Sequence, residues 1–206
     1  MLVPKFNELA NAPGITDAVV APLLMWSGII GCFIVPLFAS KIISEEKLQN
    51  GDVLLFNSPL TSSQLVTSRL VAVVSFIGAY IALICLYPLS ISFATTLDWG
   101  RIAAGLFGIA LLLVMIACLS NYIASYTAST ALAMVCTLLV LGVLIILYTI
   151  GIAQSAPSKL FVYISAFSHF FEFLNGIVSG RAIGYFVTFS IWLLALNILR
   201  YQLFFR

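Results

Sequence analysis

The chain holds one histidine, His169, and three residues beyond it an acid, Glu172. At positions i and i+3 the two can face one side of a helix, so the pair offers two ligands toward a metal ion. Protein zinc sites use at least three protein ligands, and no metal is expected here. Imidazole titrates near neutrality, at about 6.5 in water, which leaves proton exchange at His169 as a further chemistry. No nucleophile stands beside a base: there is no G-x-S-x-G elbow, and no GxxxxGK[ST] loop to cradle a phosphate. Cys32, Cys85, Cys118 and Cys136 all lie within apolar runs and none forms a CxxC pair, so they read as small packing residues. No catalytic residue and no cofactor of the chain's own is expected.

The elements that must position these residues follow from composition. Of 206 residues, 63% are hydrophobic and 8% charged, and the mean hydropathy is +1.18. Soluble domains carry about 25% charged residues, so this apolar surface belongs in a bilayer. Nine basic against seven acidic residues leave a net charge of +2, with no basic run suited to nucleic acid. Residues 1–19 form a tail with Lys5, Glu8 and Asp17, unlike a cleavable signal peptide. An intramembrane enzyme would need acids or nucleophiles gathered at one depth, and none are.

A helix needs about 20 apolar residues to cross the hydrocarbon. Five stretches qualify, at roughly 20–43, 66–95, 102–124, 128–154 and 182–204, and lipid leaves them no conformation but helix. Pro22, Pro36 and Pro88 fall within or near the ends of these spans. A sixth stretch, 158–178, carries His169, Glu172 and Asn175 after Ala156-Pro157. Those polar positions favour a shallow or re-entrant helix over a full crossing. Gly176, Gly180 and Gly184 recur every four residues. On one helix they make a flat strip for close packing; in a re-entrant segment they mark its turn.

Lys41, Lys47, Arg69, Arg200 and Arg206 would lie on one side of the membrane, and Lys5, Arg101, Lys159 and Arg181 on the other. That small excess favours a cytoplasmic C-terminus and a cytoplasmic loop after the first span. The loop, 44–65, opens with the most polar run in the chain, Ser44 to Asp52. The first span is expected to leave the membrane as a charged helix and stop near Gly51. A short apolar helix from Val53 to Phe56 follows, broken at Ser58-Pro59, and Thr61, Ser62 or Ser63 caps the helix that re-enters. By itself the apolar stretch reads equally as an interfacial anchor or as a docking element.

The order Pro36-Leu37, Glu45-Glu46-Lys47, Gly51, Val53 to Phe56 and Ser58-Pro59 resembles the coupling region of type-2 ATP-binding-cassette permeases. The resemblance is to the subfamily associated with gliding motility and nitrous-oxide-reductase maturation. Ser125-Tyr126-Thr127 with Ala128 to Ala133 is similar to the turn that joins two spans in that family. Ser165-Ala166-Phe167-Ser168-His169-Phe170, then Phe173, Gly176 and Tyr185-Phe186, is similar to its late segment. Departures are Asp52 for a threonine, Ala166 for a proline, Ala128-Ser129 for Arg-Asn, a missing acid in the apolar stretch and a Gly-to-Pro interval one residue short. A family half has six spans and this chain starts where the second would be, so it is either a shortened subunit or lacks the first helix.

The resemblance implies an all-α, polytopic membrane protein with one permease domain over 1–206. It has about five spans, a cytoplasmic coupling helix in 44–65 and short outer helices over 157–180. It further implies ATPase contact through Glu45, Glu46, Lys47, Gly51, Val53, Leu54, Leu55, Phe56, Ser58 and Pro59. A structural or gating role falls to Ser165, His169, Phe170, Phe173 and Gly176. ATP and Mg would be bound by two copies of a separate ATPase subunit. A second permease half, identical or related, would complete the path across a bacterial inner membrane, with lipid around it and no nucleic acid. The rival expectation is a non-transporting anchor or assembly subunit of a complex.

Overall fold

Backbone N–H and C=O groups have no partners in lipid, so apolar runs of this length satisfy them within helices. The computed structural model describes residues 19–48, 62–93, 97–127, 129–153 and 159–204. Every regular element among them is an α-helix: α1 (Ala21–Leu48), α2 (Ser62–Ser92), α3 (Trp99–Tyr126), α4 (Thr130–Ala153), α5 (Lys159–Ile164), α6 (Ala166–Leu174) and α7 (Gly180–Phe204). Five of them, α1 to α4 and α7, are long and apolar enough to cross a membrane, which marks the chain as a multi-pass membrane protein. The expected spans match these helices to within a few residues at each end. The sixth apolar stretch is two short helices; α6, with nine residues, rises only about 13 Å, less than half of the ~30 Å hydrocarbon.

The long helices alternate in direction. Ile43 of α1, Ala124 of α3 and Ala133 of α4 cluster at one end, the loop end, where α1 and α7 finish and α2 begins. At the other end Leu24 of α1 meets Gly105 of α3, with Leu174 of α6 beside it. The short helices α5 and α6 therefore cap the end opposite the loop that resembles a coupling region.

Helix α3 is the centre of the bundle. Ile109, Leu112, Leu113, Met115 and Ile116 are all at 0% exposure, because α1, α2, α4, α6 and α7 all pack against this helix. Its start is fixed by Asp98, whose carboxylate accepts the Arg101 backbone N–H at 3.2 Å, an N-cap bond. Pro36 lies inside α1, and its carbonyl accepts two hydroxyls, Ser40 Oγ at 2.6 Å and Ser120 Oγ of α3 at 3.2 Å. The second of these is a polar tie between spans of the kind that helps hold helices together in lipid. At the loop end Arg200 of α7 donates to Ser125 Oγ and lies 3.3 Å over the Tyr126 ring. Arg69 of α2 donates to Tyr201 Oη at 2.5 Å.

Helix α1 continues beyond its apolar part through Glu45, Glu46 and Lys47 to Leu48, as expected of a charged helical extension. Gly51, Val53, Leu54, Leu55, Phe56, Ser58 and Pro59 lie outside the described residues. Helix α2 begins at Ser62, within the expected capping trio.

Candidate functional site

The second cluster of candidate residues is gathered on α6 and its flanks, at the capped end of the bundle. Helix α6 is amphipathic. Phe167, Phe170, Phe173 and Leu174 are buried with His169, while Phe171 and Glu172 are partly exposed.

Two glycine pairs create the seat for α6. Gly28 and Gly31 sit three residues apart on α1, and Gly105 and Gly108 repeat the spacing on α3. One glycine of each pair admits the other helix: Leu113 of α3 fills the place a Gly31 side chain would occupy, and Leu24 of α1 does so at Gly105. The remaining glycine of each pair admits α6. A Cβ on Gly28 would stand 2.7 Å from Phe170 Cζ, and one on Gly108 only 2.5 Å from Phe173 Cβ. Small residues let helices approach closely in lipid; here they also let two aromatic rings enter. Sequence inspection picked out Phe170 and Phe173 but missed their partners. The signal was present as two G-x-x-G pairs in separate spans.

Ser165 occupies the N-cap position of α6, yet its hydroxyl does not cap the helix. It donates to the Leu144 carbonyl of α4 at 2.8 Å and is fully buried. His169 is 2% exposed. Its ring packs 4.6 Å from Tyr185 and edge-on to Tyr163 and Phe186. Nε2 lies 3.1 Å from the Tyr163 carbonyl. A carbonyl only accepts, so the proton sits on Nε2, and Nδ1 is a buried acceptor without a hydrogen-bond partner among the described residues. Tyr185 Oη donates to the neighbouring Ile164 carbonyl at 2.6 Å. The carbonyls at the end of α5 are thus held by one residue of α6 and one of α7.

Gly176 is a turn residue. Its φ is +79°, its N–H bonds the Phe173 carbonyl at 2.9 Å, and the Ile177 N–H bonds the Glu172 carbonyl at 3.0 Å. These two bonds and the left-handed glycine are a Schellman motif closing α6. Arg101 Nε donates to the Leu174 carbonyl at 3.1 Å, so the last turn of α6 is also bonded to the start of α3.

His169 and Glu172 do not act as a pair. The Glu172 carboxylate accepts from Ser179 Oγ at 2.7 Å and from Arg181 at 3.4 Å. Ser179 Oγ in turn accepts the Ala182 N–H at 3.2 Å and so caps α7. Gly180 and Gly184 form no packing strip among the described residues: both are exposed and no described atom lies within 4 Å of an added Cβ. Among the described residues no three His, Cys, Asp or Glu side chains are grouped to hold a metal ion. Of the first cluster of candidates, Glu45, Glu46 and Lys47 are among the described residues, and they lie on the last turn of α1 at the opposite end from α6.

Chemically the capped end is a packed aromatic block tied by Ser165 to α4, by Arg101 to α3 and by Tyr185 to α7. Compared with known proteins, the chain matches no family model, no curated sequence and no solved structure.

Proposed function

We propose that the chain is the membrane-spanning permease subunit of an ATP-binding-cassette exporter, acting with a separate ATPase in a bacterial inner membrane. The observation that carries the proposal is the reach of α1. One uninterrupted helix holds Phe170 of α6 in the Gly28 notch and ends in Glu45-Glu46-Lys47. From Gly28 to Leu48 is twenty residues, or about 30 Å, the thickness of the hydrocarbon.

A displacement applied at the charged end of α1 is therefore delivered to α6 at the far end. In the proposed cycle, ATP closes two ATPase subunits, which bind the nucleotide and Mg. Their movement displaces the loop at 44–65, α1 and α2 tilt, and the notches that hold Phe170 and Phe173 move with the spans. A second permease half encloses the path. Binding coupling is reciprocal, so cargo bound between the halves shifts nucleotide affinity on the ATPase.

The test is to tag the chain, extract it in mild detergent and identify what copurifies, beside a Val53→Asp/Phe56→Asp variant. An ATP-binding-cassette subunit present with the parent and lost from the folded variant is the expected result. Absence of any such ATPase from the folded parent would overturn the proposal in favour of an anchor or assembly subunit.

A further inference from the structure

A cavity of about 410 Å³ lies between α1, α4 and α6. Its floor is buried: Cys32 is 5% exposed, Leu141 3% and Phe170 1%. Its mouth opens sideways, between Phe33 of α1 and Ile145 of α4, on a surface where both side chains are exposed. The lining is hydrocarbon apart from the Cys32 thiol, the Met25 thioether and the hydroxyls of Tyr148 and Thr149. The Thr149 hydroxyl is bonded to the Ile146 carbonyl of its own helix at 2.8 Å.

The shape is a slot. Along α4 it runs from Leu138 to Thr149, eleven residues or about 16 Å. That is the depth of one leaflet, half of the ~30 Å hydrocarbon. The slot occupies the half of the bundle nearest α5 and α6, because α4 starts at Thr130 by the loop end and finishes at Ala153.

Gly142 sits in the wall of the slot, and nothing lies within 4 Å of a Cβ built there. A glycine inside a helix costs about 0.5–1 kcal/mol relative to alanine, and no neighbour among the described residues requires it. The space it leaves is open to whatever lies beside the protein.

We propose that this slot is a binding site for one acyl chain of a bilayer phospholipid from the leaflet on the α5–α6 side. Water is excluded because an apolar cavity stays dry, and an empty slot would leave its lining without dispersion contacts on one side. A single hydrocarbon chain has the length and the chemistry of this lining. The inference does not depend on an ATPase partner.

The experiment uses the full chain in phosphatidylcholine vesicles containing a trace of phosphatidylcholine with a diazirine in its acyl chain. After irradiation, labelled residues are mapped by mass spectrometry. Leu138, Leu141 and Phe167 should be labelled several-fold more than Leu83 and Leu86, which face outward on α2. Gly142→Phe, whose ring fills the slot, should bring them down to the level of those controls, and Gly142→Leu should fall between. Both variants are scored only where the thermal transition of the parent is kept, and the parent comparison stands without either. Slot labelling no greater than the controls would overturn the proposal. So would labelling unchanged by Gly142→Phe, or slot residues shielded by a second polypeptide while the controls stay labelled.

Discussion

Phe173 of α6 rests directly on Gly108 of α3, so closely that a methyl group at Gly108 would stand 2.5 Å from Phe173 Cβ. The atom in the way is the root of the side chain and cannot swing aside as a ring tip can. Gly108→Ala should therefore destabilise the protein by about 1–3 kcal/mol, the usual cost of overpacking a filled core. Gly142→Ala, in open space, should instead stabilise by about 0.5–1 kcal/mol. Thermal unfolding in detergent measures both, and the same sign for the two changes would contradict the notch.

Much of this was legible in the sequence, and the physical reason is the bilayer. Runs such as Thr130–Ala153, apolar on every side, have one permitted conformation in lipid. His169, Glu172 and Asn175 cannot all be buried in a lipid-facing span, which marked 158–178 as something shorter. Gly176 was legible only as one of three glycines that make either a packing strip or a turn, and it is the turn. The seat of α6 was not legible. Gly28, Gly31, Gly105 and Gly108 are ordinary residues of apolar spans until α1 and α3 are brought together, and nothing local says that Phe170 belongs to one and Phe173 to the other. The slot beside Gly142 is likewise a property of three helices, the first of which is separated from the other two by more than eighty residues of chain.

Ser165 tests whether the α5–α6 pair is held to α4 by one hydroxyl. Ser165→Ala removes the bond to the Leu144 carbonyl and should cost about 0.5–1.5 kcal/mol. The loss should be local. Hydrogen exchange of the amides from Phe161 to Leu174 should quicken while those of Leu112 to Ala117 in α3 stay protected. Uniform quickening across both would mean that Ser165 supports the whole bundle instead.

Gly176 and Arg101 close the other end of α6 together. Gly176 has φ of +79°, and a Cβ there would meet Arg101 Cγ at 3.2 Å. Gly176→Ala should cost about 1–2 kcal/mol for the left-handed backbone, and Gly176→Asn less, since asparagine tolerates that region. Arg101→Met keeps the stem and deletes the donor to the Leu174 carbonyl, for about 1 kcal/mol. Thermal unfolding of the three variants should rank alanine below asparagine in stability; equal losses would place the cost in the arginine contact and not in the backbone.

His169 separates packing from hydrogen bonding. Its ring fills the space among Tyr163, Tyr185 and Phe186, and only one of its nitrogens is engaged. His169→Phe keeps a ring in the box and removes the bond to the Tyr163 carbonyl, a loss of about 0.5–1.5 kcal/mol. His169→Ala removes the same bond and also leaves a cavity, which for an aromatic ring in a core costs about 3–5 kcal/mol. Alanine should therefore be the more damaging change, with Tyr185 freed to move. Near-ultraviolet circular dichroism, which reports fixed aromatic side chains, should be altered more by alanine than by phenylalanine. If both substitutions prove equally harmful in thermal unfolding and leave that spectrum alike, the imidazole is held for its hydrogen bond and not for its shape.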